Sequence, residues 1–323
     1  MVRSFLKDTD FTPAEAREVF ALAARYKATR SAGIIDVLRS QSWGVLFFKK
    51  STRTRLSFEA GIYELGGHPM VMSASDLQIS RGETIEDTAR IMGRFLHGLV
   101  IRTFEQEIVE KFAQYSGLPV INALTDLLHP CQSYTDMFTM TEFFSSGLPN
   151  PDSIKGKKFA FFGDTACNMA YSLALAGAIF GVEVALCGPE EFKPAPVLDT
   201  LFKQAKLAPT WSFTSDPAAA AKNADVLYTD VWVSMGKEDE KAERIKTMSP
   251  YQVNMQLFKA AKKNALFMHC LPAHAGEEVS KEVLESPRSI VFDQAENRLH
   301  VQKAIVSYLV SQNRKLAQAR DCK

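Results

Sequence analysis

Short apolar runs alternate with helix-like stretches along almost the whole chain, and this alternation restricts the fold more than any other feature. In the first half the runs cover residues 43–48, 70–72, 99–101 and 119–121. In the second half they cover residues 158–162, 182–186, 226–229, 265–268 and 289–292. Such alternation favours an α/β architecture with parallel sheets over separate all-α and all-β parts.

Local signals predict the first and last helices. Thr12 is a suitable N-cap, Pro13 fits the first helical position, and Glu15 places an acidic side chain in the first turn. Residues 295–310 carry apolar side chains at helical spacing and predict a helix near the C-terminus.

A change of composition divides the chain. At roughly 150 residues per domain, 323 residues indicate two domains. Residues 145–151 are small, polar or proline, which is typical of a crossover. We expect two similar-sized domains, residues 1–148 and 149–323, each a parallel sheet flanked by helices, with the helix from about residue 295 packing back on the first domain.

Charge and hydropathy exclude several functions. A net charge of +1 provides no basic surface for nucleic acid. The sequence contains neither an apolar run long enough to span a membrane nor a signal-peptide core, so we expect a cytoplasmic protein. Five scattered cysteines without a C-x-x-C pair fit reduced thiols better than disulfides or a zinc ribbon.

The basic segment Ser51-Thr52-Arg53-Thr54-Arg55 follows the first apolar run and opens a helix over residues 55–65. The amino end of a helix offers unpaired backbone N–H groups and a positive dipole end, and guanidiniums add forked donors for phosphate oxygens. A capped, solvent-facing basic turn is the alternative. No Walker loop occurs in the sequence.

His129-Pro130-Cys131-Gln132 follows the run at 119–121. Proline fixes the turn, and the imidazole and carboxamide could both donate to a carbonyl oxygen. A pair of this kind more often caps a helix or satisfies buried backbone groups, so the motif alone is weak evidence.

Two further motifs lie at strand ends in the second half. The segment from Asp230 to Gly236 could hold an ammonium group through its aspartate, or the aspartate could be a helix N-cap. Cys270, after the run at 265–268, could be reactive or a ligand, or simply a small apolar residue. Zinc at His269, Cys270 and His274 is disfavoured because no fourth ligand has a familiar spacing.

A dinucleotide site is also disfavoured. Residues 159–165 form a strand and a tight turn, but the later glycines of G-x-G-x-x-G are missing. We therefore expect no cofactor and no metal.

In this order and at these separations, the four motifs resemble those of the aspartate/ornithine carbamoyltransferase family. Residues 51–55 resemble its carbamoyl-phosphate signature, and residues 129–132 its H-P-x-Q element. The D-x-W-x-S-M-G and H-C-L-P loops, at 230–236 and 269–272, are similar to those of members that use ornithine rather than aspartate.

The resemblance implies a role for each matching residue, with both substrates bound in a cleft between the domains. Phosphate would be bound by Ser51, Thr52, Arg53 and Thr54, and the carbonyl oxygen of carbamoyl phosphate by Arg102, His129 and Gln132. Ornithine would be held by Asn168, Asp230, Ser234 and Met235. Cys270, Leu271 and Arg298 would complete the reacting centre and, with Gln78, would also bind carbamoyl phosphate. Gln78 would reach the site of a neighbouring subunit in a homotrimer or a multiple of trimers.

The implied reaction is carbamoyl transfer to the δ-amine of ornithine, which gives citrulline and phosphate. Three alternatives stay open at this point. The enzyme could use another amine, such as putrescine, an acylated ornithine or aspartate. The chain could be a silent binding paralogue, or, with least support, a nicotinamide-dependent oxidoreductase.

Overall fold

The computed structural model describes residues 2–233 and 241–321. In chain order the strands are β1 (Ser42–Phe47), β2 (His68–Ser73), β3 (Gly98–Arg102), β4 (Val120–Leu124), β5 (Lys158–Phe162), β6 (Glu183–Cys187), β7 (Trp211–Thr214), β8 (Val226–Thr229) and β9 (Leu266–His269). The helices are α1 (Pro13–Ala28), α2 (Thr52–Glu64), α3 (Ile85–Phe95), α4 (Gln106–Ser116), α5 (Pro130–Phe144), α6 (Asn168–Phe180), α7 (Val197–Ala205), α8 (Pro217–Ala221), α9 (Lys241–Met248), α10 (Met255–Ala260), α11 (Lys281–Leu284) and α12 (Val291–Asp321).

The chain forms two compact units. The first comprises Met1–Phe138, Gly147–Pro149 and Glu296–Lys323, and the second comprises Thr139–Ser146 and Asn150–Ala295. A functional boundary at residue 148 stays a prediction. Each unit contains one parallel sheet with helices against it, so the predicted α/β class is confirmed.

The sheet of the first unit has the strand order β2-β1-β3-β4, with all neighbours parallel. β1 therefore lies between β2, which follows it through α2, and β3, which is reached later in the chain. This point, where the strand order reverses, is where ligands bind in open parallel sheets, outside the carboxyl ends of the strands. In this unit Ser51 lies shortly after β1, and Arg102 is the last residue of β3.

The sheet of the second unit has the strand order β7-β6-β5-β8-β9, again all parallel. Its order reverses between β5 and β8, and Asp230 follows β8 directly. The carboxyl ends of β8 and β9 lie side by side, because Thr229 pairs with His269. Hence the turns after these strands meet at one edge of the sheet.

The helix starts follow local chemistry. The Thr12 side chain accepts a hydrogen bond from the Glu15 N–H, and the Glu15 carboxylate accepts one from the Thr12 N–H. Thr12 is therefore the N-cap of α1, as predicted. In α2 the Ser51 side chain accepts from the Thr54 N–H, so this helix begins at Thr52 rather than at Arg55. The basic segment is therefore the first turn of the helix itself.

The structure differs from the sequence-based expectations at two places in the second unit. Residues 289–292 are not a strand: Ser289 makes only an isolated bridge to Phe267, and α12 begins at Val291. In contrast, β7 was not predicted. It is a four-residue edge strand whose apolar and polar residues alternate, a pattern too short to stand out.

The central strands of each sheet are almost entirely buried. Close packing requires glycine at the start of β3, for example, where a Cβ on Gly98 would lie 2.5 Å from the Trp43 ring. Among the described residues, none of the helices combines the length and the apolar character needed to cross a membrane.

Candidate active site

The first turn of α2 forms one wall of the candidate site in the first unit. Ser51 is the N-cap, Thr52 is exposed, Arg53 is half-buried and Thr54 is fully buried. The turn follows β1, so its free N–H groups and the positive end of the helix dipole lie at the carboxyl edge of the sheet.

Arg102 ends β3 and lies beside this turn because β1 and β3 are neighbours, with Phe47 paired to Arg102. Its Nη1 donates to Thr54 Oγ1 at 3.5 Å. A guanidinium thus faces the start of α2.

Arg298 supplies a second guanidinium from α12 and is only 3% exposed. Its Nη1 donates to Gln132 Oε1 at 2.5 Å, and its Nη2 donates to Thr54 Oγ1 at 3.3 Å. Residues far apart in sequence therefore meet at Thr54, since both arginines donate to the same hydroxyl.

His129 lies just before α5 and is buried. Burial lowers its pKa well below the usual value, and the positive charges of Arg298 and Arg102 lower it further. The imidazole is therefore neutral at physiological pH and offers one N–H donor and one acceptor nitrogen.

This group of five residues, Thr54, Arg102, His129, Gln132 and Arg298, will be called the anion cluster. It combines two guanidiniums with neutral donors at a helix N-terminus, which suits a phosphate-bearing molecule with a carbonyl oxygen. Gln78 is exposed at the start of the 3₁₀ turn Gln78–Arg81 and is not among the contacts that build the anion cluster in the described part of the chain.

The second unit brings Asp230 and Cys270 together at the adjacent ends of β8 and β9. The Cys270 Sγ donates to Asp230 Oδ1 at 3.0 Å, and the same oxygen accepts from the Val231 N–H at 2.7 Å. Both side chains are partly exposed. The pair offers a carboxylate for an ammonium group and a sulfur beside it.

Leu271, next to Cys270, has a left-handed backbone with φ of +57°. A bulky residue rarely adopts this conformation, and such strain is concentrated at functional sites. The Leu271 N–H donates to His269 Nδ1 at 2.8 Å, and the His269 N–H donates to Gln294 Oε1 at 2.9 Å. These bonds hold the turn after β9.

Asn168 is the first residue of α6, and Cys167 precedes it as the N-cap residue. Burial raises the pKa of Cys167 well above its usual value, and the charges of Asp164 and Asp230 raise it further. The start of α6 therefore lies near Asp230. The remaining two predicted ornithine residues, Ser234 and Met235, lie outside the described residues.

Two groups of side chains place potential metal-ligand atoms within 4.8 Å of one another among the described residues. The groups are Asp230, His269 and Cys270, and His274, Glu277 and Glu278. His274 is thus not in the group that contains His269 and Cys270, although His269 and His274 both lie within 3.6 Å of the Glu278 carboxylate. In the first group the Cys270 thiol and His269 Nδ1 are engaged in the hydrogen bonds given above.

Sequence reasoning missed two buried side chains that support the anion cluster. Asp136 Oδ1 accepts from Gln132 Nε2 at 2.7 Å, and Gln302 contacts the guanidinium of Arg298. Each lies four residues after the side chain that it contacts, on the same helix. That spacing places both on the same helix face, so it is the signal that could have found them.

A third missed residue is Arg244 of α9, which is 4% exposed and connects two turns of the second unit. Its Nε donates to the Trp232 carbonyl at 2.7 Å, and its Nη2 forms a salt bridge with Asp164. The Arg244 side chain therefore links Trp232, which follows β8, to Asp164 in the turn after β5, on both sides of the point where the strand order reverses.

Comparison with known proteins agrees with this architecture. The carbamoyl-P binding domain of aspartate/ornithine carbamoyltransferase matches residues 3–142, and the Asp/Orn binding domain matches residues 155–309. The ornithine carbamoyltransferase of Symbiobacterium thermophilum is 46% identical over 312 residues, covering 96% of this chain and 98% of that one.

Solved structures are similar over the same length. Ornithine carbamoyltransferase from Pyrococcus furiosus has a TM-score of 0.86 at 41% identity, covering 95% of this chain and 96% of that chain. An anabolic ornithine carbamoyltransferase from Campylobacter jejuni has a TM-score of 0.87 at 36% identity, covering 96% of this chain and 100% of that chain.

Fold and site together define an α/β protein of two parallel-sheet units, with donors for a phosphate-bearing anion at the switch point of one sheet and a carboxylate–thiol pair at that of the other. Within that class, the two matched domains identify the family. The chain belongs to the aspartate/ornithine carbamoyltransferase family.

Proposed function

We propose that the chain transfers the carbamoyl group of carbamoyl phosphate to the δ-amine of L-ornithine, giving L-citrulline and phosphate. The observation that carries the proposal is the anion cluster, in which two guanidiniums converge on Thr54 beside a neutral His129. The names of the relatives support ornithine as the acceptor.

In this scheme the first turn of α2 binds the phosphate. Ser51, Thr52, Arg53 and Thr54 supply hydroxyls, backbone N–H groups and a guanidinium where a helix dipole already favours an anion. As the C–O bond to the leaving group breaks, these donors stabilise the negative charge that accumulates on the phosphate oxygens.

Arg102, His129 and Gln132 bind the carbonyl oxygen, with Arg298 beside them. The oxygen becomes an oxyanion when the amine adds to the carbonyl carbon, so donors placed there stabilise the transition state more than the bound substrate. A neutral His129 suits this role because it donates a hydrogen bond without giving up its proton. The scheme uses no metal and no cofactor.

Ornithine would bind through residues of the second unit. Asn168, Asp230, Ser234 and Met235 hold the α-amino acid end, while Cys270 and Leu271 lie toward the reacting amine. The short contact between Cys270 and Asp230 supports this placement, because it puts the sulfur next to the carboxylate that holds the amino acid.

The attacking amine must be neutral. A δ-amine with a lysine-like pKa of about 10.4 is protonated in water. Loss of water and nearby guanidiniums both favour the uncharged form, so the bound amine loses its proton more readily than the free one. We therefore expect kcat/KM for ornithine to rise with pH through the neutral range, as measured by initial rates.

Cys270 orients the amine and is not a covalent nucleophile, since attack by an amine requires no acyl-enzyme. Rapid-quench experiments with carbamoyl phosphate alone should detect no carbamoyl thioester. A trapped thioester on Cys270, identified by mass spectrometry of the intact protein, would contradict this role.

Carbamoyl phosphate binds first, before ornithine. Calorimetry should find tight binding of ornithine analogues only after carbamoyl phosphate or phosphate has been added. Equally tight binding to the free protein would contradict this order.

The assembly is a homotrimer or a multiple of trimers, with Gln78 contributing to the neighbouring subunit's site. It works in the cytoplasm, in arginine biosynthesis or in the reverse, catabolic direction. Light scattering should give three times the 35.9 kDa chain mass, or a multiple of that value. Rates measured in both directions at matched substrate concentrations would establish the preferred one.

The deciding experiment compares ornithine, putrescine, an acylated ornithine and aspartate as acceptors under one set of conditions. Ornithine should have the highest kcat/KM. A higher value for another amine would replace ornithine as the substrate, and no activity with any of them would favour a silent paralogue. For the Arg53→Ala variant we expect loss of carbamoyl-phosphate binding, whereas unchanged binding would argue against the phosphate site.

A further inference from the structure

Gln302 lies one helical turn after Arg298 in α12 and is 1% exposed. In the amide orientation that satisfies its neighbours, Gln302 Oε1 accepts from Arg298 Nε at 3.0 Å and from Nη2 at 2.8 Å. One carbonyl oxygen therefore holds an entire edge of the guanidinium.

The nitrogen of the same amide reaches toward α2. Gln302 Nε2 donates to Ser57 Oγ at 2.5 Å, and Ser57 Oγ donates to the Arg53 carbonyl oxygen at 2.7 Å. A chain of hydrogen bonds thus runs from the backbone of the phosphate-binding turn, through Ser57 and Gln302, to the guanidinium of Arg298.

Two further acceptors lie at the other edge of that guanidinium. Gln132 Oε1 accepts from Nη1, and Thr54 Oγ1 accepts from Nη2. These acceptors are uncharged, as is Gln302, so they fix the orientation of Arg298 without neutralising its charge. A guanidinium held in a fixed orientation by these acceptors is preorganised to bind an anionic substrate.

We propose that Gln302 is a positioning residue for the carbamoyl-phosphate site: it fixes the guanidinium of Arg298 and ties it to the first turn of α2. The inference rests on the proposed function in taking carbamoyl phosphate as the ligand. Gln302 acts through Arg298 and contacts no reacting atom.

Two substitutions at this position separate orientation from charge. Gln302→Leu removes the clamp with little change of size, and we expect the Kd for inorganic phosphate and the KM for carbamoyl phosphate to rise about tenfold. Gln302→Glu keeps the acceptors but pairs Arg298 with a negative charge. This variant should lose at least as much phosphate affinity as the leucine variant while remaining at least as stable to denaturant.

A double-mutant cycle tests whether the effect passes through Arg298. In an Arg298→Met background, Gln302→Leu should change the Kd for phosphate, measured by calorimetry, by less than twofold. Gln106→Leu is the matched control, because Gln106 of α4 makes its hydrogen bonds to Leu6, Asn122 and Thr125, away from the guanidinium. The control should leave phosphate affinity unchanged even if it lowers stability.

The inference is overturned if Gln302→Leu binds phosphate as the wild type does, or if the substitution weakens binding equally with and without Arg298. Should the leucine variant fail to fold, Gln302→Glu decides alone: unchanged phosphate affinity in that folded variant overturns the proposal. Failure of the proposed function gives a different result, namely a wild-type protein that binds phosphate with the expected coupling but carbamoylates no ornithine.

Discussion

Removing the carboxyl group of Asp136 should impair the anion cluster although Asp136 lies behind it. The side chain is completely buried, and its Oδ1 accepts from Gln132 Nε2 at 2.7 Å. The other end of the same amide accepts from Arg298 Nη1 at 2.5 Å. In Asp136→Ala the amide loses the partner that keeps its oxygen toward the guanidinium.

The size of the effect follows from the hydrogen bond that is lost. A buried donor left without its acceptor costs about 1–3 kcal/mol, and each 1.4 kcal/mol corresponds to about tenfold in an equilibrium constant. We therefore expect kcat/KM for carbamoyl phosphate to fall about five- to 140-fold in Asp136→Ala. Asp136→Asn keeps an oxygen acceptor, so its loss should stay below about fivefold.

The assay is steady-state citrulline formation with carbamoyl phosphate varied at saturating ornithine, together with urea unfolding to confirm that each variant is folded. The ordering of the variants, wild type, then asparagine, then alanine, is the diagnostic result. A folded alanine variant with wild-type kcat/KM would refute the reasoning, because it would show that the orientation of Gln132 does not depend on Asp136.

Three further predictions concern packing, pH and the second unit. Gly93→Ala should lower the free energy of unfolding by about 1–3 kcal/mol in urea titrations, because the new Cβ would lie 2.1 Å from the Ser116 carbonyl oxygen. Burial lowers the pKa of His129, so the unfolded state takes up a proton that the folded state does not. Stability should therefore be complete above pH ~6.5 and fall below it by up to about 1.4 kcal/mol per pH unit, with a smaller slope in His129→Gln. Cys270→Ala should raise the KM for ornithine about tenfold in initial-rate kinetics and change the KM for carbamoyl phosphate less, because the Cys270 thiol is hydrogen-bonded to Asp230 of the amino-acid site.

Each of these predictions has a matched control. Gly147→Ala should be neutral, since no heavy atom would lie within 4 Å of its new Cβ. For the pH prediction the comparison is His129→Gln itself, which removes the buried imidazole and keeps a polar side chain. Cys187→Ala removes a buried thiol in β6 and should leave the KM for ornithine at the wild-type value. Equal effects in a variant and its control would contradict the corresponding explanation.

The regular elements could be predicted because their signals are local. The capping residue Thr12, the apolar run of β5 and the basic turn at Ser51 each act within a few residues of chain. Sequence-based predictions were less accurate where a segment's secondary structure depends on pairing with a distant strand. Residues 289–292 are apolar enough for a strand, yet only Ser289 pairs, and the chain turns into α12 at Val291.

By itself, the sequence determined the α/β class and the motifs, because hydrophobic periodicity and residue type at a strand end are properties of short segments. Only the tertiary structure decided which side chains share a charge environment. It placed Arg298 against Thr54 across 244 residues and lowered the pKa of His129 by burial beside two arginines. The supporting roles of Asp136 and Gln302 could be recognised only from the tertiary structure. The strength of a hydrogen bond depends on burial and on nearby charge, and distant segments of the chain provide both.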